Sequence, residues 1–305
     1  MKPRAIQKFV KLVAAALGLL AIAGARAGAG PQELIVGVSF TGDSLFSFKS
    51  DDPGTILESH AISGLVGGEQ IETINYWNGQ IYGWSSLGGL YAIDPANGQA
   101  SLIGNGNSAG AKGTAFGFAN TPAGGVVVSE LDIRLNICRT TGICSTDPVL
   151  AYAPGDLFAG TNPNITSLAY DHGNGVLYGL DSLRKTMVRL DPATGLLNTL
   201  TPSGIGVSYS RYNGFDISDA TGIAYLGSPA SDDDPQANLY TLDVATGQAT
   251  LVGTIGDPGD DLLIRGMTVV PWSATASTVP EPSVMALLGL GAVALAGRVA
   301  RRRNG

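Results

Sequence analysis

Hydrophobic and polar positions alternate in short runs along the middle of this chain, and the runs recur. Leu90 to Gly104 reads LYAIDPANGQASLIG and Leu239 to Gly253 reads LYTLDVATGQATLVG, identical at nine of fifteen positions. A third copy, MVRLDPATGLLNTLTPSG, runs from Met187 to Gly204, and a weaker one, LFSFKSDDPGTI, from Leu45 to Ile56. Alternation on either side of a polar, glycine-containing turn describes a β-hairpin. In the turns, Asp94 and Asp191 are placed to bond backbone N–H groups and Pro95 and Pro192 preset φ. Gly98, Gly195 and Gly247 supply the left-handed position that closes a bulged hairpin.

Another strand pair precedes three of these hairpins. NGQIYGW (Asn78 to Trp84), NGVLYGL (Asn174 to Leu180) and TGIAYLG (Thr221 to Gly227) follow IETINY, ITSLAY and YNGFDI, so the repeating unit has four strands. Units begin at Ile71, at Thr114 in divergent form, at Ile165 and at Tyr212. A last strand, IRGMTVVP from Ile264, lacks its hairpins, while the N-terminal LIVGVSF and LFSF lack a first strand, and each supplies what the other misses. The pattern predicts an all-β propeller of five four-stranded blades, six being the alternative count, closed by joining the N- and C-terminal strands. An open two-sheet sandwich is the competing architecture. Helix is expected only as short apolar segments at the two ends.

Those ends differ from the body in kind. Lys2, Arg4, Lys8 and Lys11 precede an apolar run from Leu12 to Ala23, and Ala25-Arg26-Ala27 offers the small-x-small pattern that signal peptidase cuts. A signal peptide over 1–27 is expected, with cleavage after Ala27. At the other end, Val279-Pro280-Glu281-Pro282 precedes an apolar stretch from Val284 to Gly297, closed by Arg298, Arg301, Arg302 and Arg303. The prolines keep the motif extended for a protease. The apolar run enters the membrane, and the arginines stay cytoplasmic. This tail resembles the Pro-Glu-Pro sorting signal (PEP-CTERM) read by exosortase. The resemblance implies a temporary membrane tether, cut near Glu281 and Pro282 as the body is released or attached at the cell surface. Expected boundaries are thus 1–27 signal, 28–272 propeller, 273–279 linker and 280–305 sorting tail with a short transmembrane segment.

Composition agrees and charge adds an exclusion. With 43 glycines and 14% charged residues, the chain suits many short strands and tight turns. The net charge of -7 averages unlike parts: residues 28–282 hold 9 basic against 25 acidic groups, a net -16. So acidic a body repels phosphate backbones, which excludes nucleic acid as an expected partner.

The run GEQIETINYWNGQIYGWSSLGGLYAIDPANGQASLIG, then GTAFGF, LYTLDVATGQATLVGTIG and IRGMTV, resembles the secreted bacterial domain of unknown function 4394 over roughly Leu34 to Pro271. The chain departs from that family at GFANTPAGG, where a GFDFNP-type segment is usual, and in its two cysteines. The resemblance implies fold and location and carries no activity.

Motif-borne chemistry is sparse. Cys138 and Cys144 enclose a short loop and, outside the cytoplasm, are expected to form a local disulfide, two thiolates without nearby histidine leaving a zinc site half built. His172, in YDHGNG beside Asp171, reads as turn chemistry, and His60 has no partner visible in sequence. Asp232-Asp233-Asp234, Asp257 with Asp260 and Asp261, and Asp216 with Asp219 read as solvated acidic turns. No cofactor is expected, although these turns leave calcium as a candidate. Tyr76, Trp77, Tyr82, Trp84 and Tyr91 cluster in one unit and Tyr209 and Tyr212 lie near another, where packing between blades competes with contact to sugars. No nucleophile elbow, phosphate loop or paired-histidine helix occurs. The expectation is a non-enzymatic surface or matrix protein, processed by signal peptidase and exosortase, that binds exopolysaccharide or a surface partner. The alternative is a lactonase- or lyase-like propeller enzyme with a metal at its central channel.

Overall fold

The computed structural model describes residues 32–105, 113–131, 134–146, 150–257, 259 and 262–271, and every regular element among them is a strand. The first blade holds β1 (Leu34–Ser39), β2 (Ser44–Lys49) and β3 (Asp52–Ala61). The second holds β4 (Ile71–Trp77), β5 (Gln80–Ser85), β6 (Gly89–Ile93) and β7 (Ala100–Asn105). The third holds β8 (Phe116–Thr121), β9 (Gly124–Ser129), β10 (Arg134–Cys138) and β11 (Gly142–Thr146). The fourth holds β12 (Ala151–Tyr152), β13 (Ile165–Asp171), β14 (Val176–Asp181), β15 (Thr186–Leu190) and β16 (Leu196–Thr199). The fifth holds β17 (Gly214–Ile217), β18 (Ala224–Pro229), β19 (Ala237–Leu242) and β20 (Ala249–Thr254), after which β21 (Ile264–Val270) returns to the first sheet.

The returning strand lies antiparallel to β1, Leu34 opposite Val270 and Gly37 opposite Met267. Blade one is therefore built from both ends of the domain, as the incomplete terminal repeats imply. Four sheets have the expected four strands, and blade four departs with five. There β12 pairs parallel to β16, Ala151 opposite Leu196, and the Tyr152 hydroxyl pins it by donating to Asp181 at 2.6 Å.

The period-two pattern has a simple physical reading in this ring. Each blade packs on a neighbour at both faces, so alternate residues of one strand enter different cores. On β1, Ile35 joins the cluster shared with blade five, while Val36 and Val38 join the one shared with blade two. On β9, Val127 packs with Trp84, Leu90 and Phe118 against blade two, whereas Val126 and Val128 pack with Leu168 and Leu177 against blade four. Phe215, Ile217 and Leu226 meet Leu180 and Met187 between blades four and five. Five clusters thus fill the five interfaces. Each fully buried side chain of the size of Phe48 or Ile35 stabilises the ring by about 1.5–3 kcal/mol.

The repeated turns fold as their residues dictate. Asp94, Asp191 and Asp243 each accept the backbone N–H two residues on, from Ala96, Ala193 and Ala245, at 2.9 Å. Gly98, Gly195 and Gly247 follow at φ of 73°, 75° and 71°. In four blades the segment leading into the inner strand also bonds that blade's own outer strand. Ala100 N–H reaches Ser63 O at 2.8 Å, Ala153 N–H reaches Leu197 O at 2.8 Å, Ala249 N–H reaches Ile205 O at 2.9 Å and Gly256 N–H reaches Pro53 O at 2.9 Å. Outer edges that would otherwise offer free pairing groups are covered in this way.

Candidate ligand-binding site

The inner strands β4, β8, β13, β17 and β21 touch one another in that order around the axis. They come close because small residues face backbone: a Cβ on Gly214 would sit 2.3 Å from Met267 N, and one on Gly117 2.6 Å from Ser167 Cα. A hydrogen-bond network fills the remaining space. The buried Asp216 carboxylate accepts from Thr268 Oγ1 at 2.6 Å and Val269 N at 2.9 Å on one oxygen, and from Ile217 N at 2.9 Å and Asn75 Nδ2 at 3.3 Å on the other. Asn75 Oδ1 in turn accepts the backbone N–H and Nδ2 of Asn120 at 2.8 and 3.0 Å. Side chains and backbone of four blades are joined through one carboxyl group. Burial pushes that group up to about 7, outweighing the four donors. The cavity left beside it is about 10 Å³, room for about one water.

The five inner strands run the same way, since their C-terminal ends gather around this cavity. The two faces of the ring consequently differ. Hairpin turns of two to six residues close one face, and connections of nine to fourteen residues enter the inner strands at the other. On the short-turn face His172 stands between Trp77 and Tyr170, ring centroids 4.8 and 4.6 Å away, with Nε2 3.6 Å from Asp219 Oδ1. Burial raises the Asp219 carboxyl, and His172 opposes the shift. Arg139 lies 4.7 Å over the Trp77 ring and donates to Thr121 O at 2.8 Å. These aromatic and charged groups are largely spent on one another.

On the long-loop face a groove of about 370 Å³ opens between blades three, four and five. Its walls are Glu130, Asn164, Ser182, Lys185, Arg211 and Asp232, together with Leu183, which is 70% exposed. Arg211 bridges two of the walls, with Nη1 3.6 Å from Glu130 Oε2 and Nε 3.2 Å from Asp232 Oδ2. Asp232 Oδ1 accepts from Ser210 Oγ at 2.6 Å and Arg211 N at 3.1 Å. Burial alone would raise the Asp232 carboxyl, but these hydrogen bonds and the nearby cations hold it below its ordinary value. Asn164 Oδ1 accepts from Ser182 Oγ at 2.5 Å, and its Nδ2 donates to Glu130 O at 3.1 Å. Lys185 donates to Tyr209 O at 2.5 Å and lies 4.9 Å from the Tyr209 ring centroid. Burial lowers its ammonium, against the pull of Asp232 and Asp181.

Several sequence expectations meet this geometry. Asp171 does cap its turn, accepting from Asn174 N at 3.0 Å and Asn174 Nδ2 at 2.7 Å, but His172 leaves that turn for the aromatic cluster and Asp219. His60 finds Glu58 at 3.5 Å. Trp84, Tyr91 and Tyr209 are buried between blades, whereas Trp77 and Tyr212 are partly exposed on opposite faces. Asp232 alone of its acidic triplet lines the groove. Among the described residues no group of three His, Cys, Asp or Glu is placed to hold a metal ion. Cys138 and Cys144 lie on β10 and β11, Cys138 opposite Gly142, and their side chains fall outside what the structure describes. Ala25, Ala27, Asp260, Asp261, the apolar run from Val284, Pro280, Glu281, Pro282, Arg301, Arg302 and Arg303 also lie outside the described residues. No helix among the described residues is long and apolar enough to cross a membrane.

The family of the domain of unknown function DUF4394 matches residues 44–267. The chain belongs to that family. A PEP-CTERM protein-sorting motif matches residues 278–303, so this DUF4394 protein is exported, carries a membrane-tethering tail before processing and is a substrate of exosortase. No curated protein matches the chain in sequence. Among solved structures it is similar to a protein of unknown function from Bacteroides thetaiotaomicron VPI-5482, at 16% identity over 73% of this chain and a TM-score of 0.47, and spans 58% of that protein's length. It is also similar to Myxococcus xanthus glutaminyl cyclase, at 10% identity over 72% of this chain and 95% of that one, with a TM-score of 0.45. A third, a protein of unknown function from Bacteroides caccae, aligns at 13% identity over 79% of this chain and 99% of that one, with a TM-score of 0.47.

Proposed function

We propose that this DUF4394 domain is a non-catalytic carbohydrate-binding module, cut free by signal peptidase and exosortase and displayed at the cell surface or in the extracellular matrix. The observation that carries the reading is the contrast between a closed axis and an open groove. A propeller enzyme working at its centre needs a chamber that admits substrate, and the axis here leaves about 10 Å³ beside a fully bonded carboxyl group. The groove on the long-loop face offers about 370 Å³ edged by an amide, a hydroxyl, carboxylates and cations. Ligand cavities of a few hundred Å³ with convergent polar groups suit small polar ligands. Such a mixture of donors and acceptors suits the hydroxyls of one or two sugar rings, with exposed Leu183 offered to their C–H face.

Co-sedimentation of the processed protein with the extracellular polysaccharide of its host tests the proposal. Leu183 is 70% exposed, so Leu183→Glu obstructs the groove without touching the core and adds no cation to it. Binding by the wild type and its loss in this variant support the reading. Equal binding by both, or by neither, overturns it.

A further inference from the structure

The groove is balanced in charge, with Lys185 and Arg211 against Glu130 and Asp232, inside a strongly acidic body. Residues 28–282 carry 9 basic against 25 acidic groups, yet two of the nine, Lys185 and Arg211, line this single groove. Other cations of the same face are consumed by partners. Arg184 Nη1 is 2.9 Å from the buried Asp181, and Arg265 Nη1 is 2.9 Å from Glu72. Arg211 is divided between Glu130 and Asp232, and its side chain keeps 43% exposure. Lys185 is different in kind: among the described residues its ammonium makes a hydrogen bond to the Tyr209 carbonyl and pairs with no carboxylate. An ammonium has three hydrogens to donate. The backbone at Lys185 is held at a φ of 57°, a conformation uncommon outside glycine, and its ammonium lies over the buried Tyr209 ring. The fold therefore places a half-buried cation at the groove wall and leaves it donors to spare.

We propose that the groove binds a uronate-bearing glycan, the sugar carboxylate pairing with Lys185 and with the exposed edge of Arg211 while ring hydroxyls bond Asn164, Ser182 and Asp232. This rests on the reading of the groove as a carbohydrate site and adds the charge of the sugar. Charge-assisted pairs of carboxylate with ammonium or guanidinium are the stronger hydrogen bonds available in such a site. Glu130 and Asp232 accept from hydroxyl groups, which an acidic sugar carries beside its charge and an acidic peptide largely lacks. A peptide's further carboxylates would instead face Glu130 and Asp232. Repulsion from the rest of the acidic body is screened beyond about 8 Å at physiological salt, so the local cations decide.

Isothermal titration of the processed protein with tetragalacturonate, with its methyl ester and with tetraglutamate tests the assignment. The ester keeps the shape of the sugar and removes its charge, so no protein variant is needed for the central comparison. Tetragalacturonate should bind about tenfold tighter than the ester, and Lys185→Gln should remove about that factor while Lys185→Arg keeps most of it. Equal affinity for acid and ester would overturn the charge assignment and leave the carbohydrate reading standing. Preference for tetraglutamate would overturn it in favour of a peptide. Binding of neither sugar, together with failure to co-sediment with host polysaccharide, would remove both proposals.

Discussion

Asp216 gives the sharpest quantitative test of how this ring is held. Its carboxyl sits among four donors from β4, β17 and β21, and burial raises it from an ordinary 3.8 to about 7. A carboxyl raised by folding binds its proton more tightly in the native state, so its contribution is fully present below about pH 4 and is lost as pH rises through the folded value. The difference between 3.8 and about 7 corresponds to on the order of 4 kcal/mol, levelling off above about pH 7. Asp219 and His172 line the same cavity, so the measurement compares wild type with Asp216→Asn across pH 4–8 and takes the difference, which leaves the titration of Asp216 together with its repulsion from Asp219. The amide keeps one acceptor for Thr268 and Val269 but turns donors toward Asn75 and Ile217, a fixed cost of about 1–3 kcal/mol. Urea unfolding should show the wild type ahead at pH 4–5, with its advantage shrinking and reversing toward pH 8. An advantage that instead grows with pH would show the carboxylate ionised in the fold, and the four donors stronger than burial.

The turns, the core and the closure are open to equally direct tests. Gly247→Ala should destabilise more than Gly222→Ala, because both sites have φ near 71° but a Cβ at 247 would lie 1.8 Å from Thr201 Cγ2 while one at 222 meets nothing within 4 Å. Thermal unfolding of the pair separates that clash from the left-handed strain of roughly 1–3 kcal/mol that both share. Phe48→Ala removes a fully buried ring between blades one and five and should cost about 3–5 kcal/mol in denaturant unfolding. A chain ending at Leu263 lacks β21 and leaves one edge of β1 unpaired, so it should fail to give a cooperative unfolding transition, whereas a chain ending at Pro271 should give one.

Much of the architecture is legible because it repeats. The Asp-x-x-x-Gly turns at Asp94, Asp191 and Asp243 use local bonds, and local bonds leave local signatures. The closure by β21 is legible because the N-terminal unit lacks one strand and the C-terminal unit consists of one strand. What joins distant repeats was not legible in the same way. Asn75, Asn120 and Asp216 meet at the axis from three different blades, Asn75 and Asp216 being 141 positions apart in the chain. Nothing in their immediate neighbours marks that meeting. Asn164 and Arg211 come from connections between repeats, and Glu130, Ser182, Lys185 and Asp232 from turns within three different repeats that share no common sequence. The sequence sets His172 beside its chain neighbour Asp171, while its charged partner Asp219 belongs to another blade. The strand β12 has no signature in the sequence because two residues carry no period, and its place depends on Tyr152 reaching Asp181 across 29 positions.

Closure by β21 also sets the order in which an exported chain can finish folding. Translocation delivers blades two to five before Ile264–Val270 emerges, so until then β1 has an open edge and the inner ring has a gap between β17 and β4. The sorting motif begins at residue 278, only a few positions after that strand. The completed ring and the arrested tail therefore arrive at the membrane almost together. The chain thus has every strand of the ring available by the time its tethering tail is in place, before exosortase acts on it.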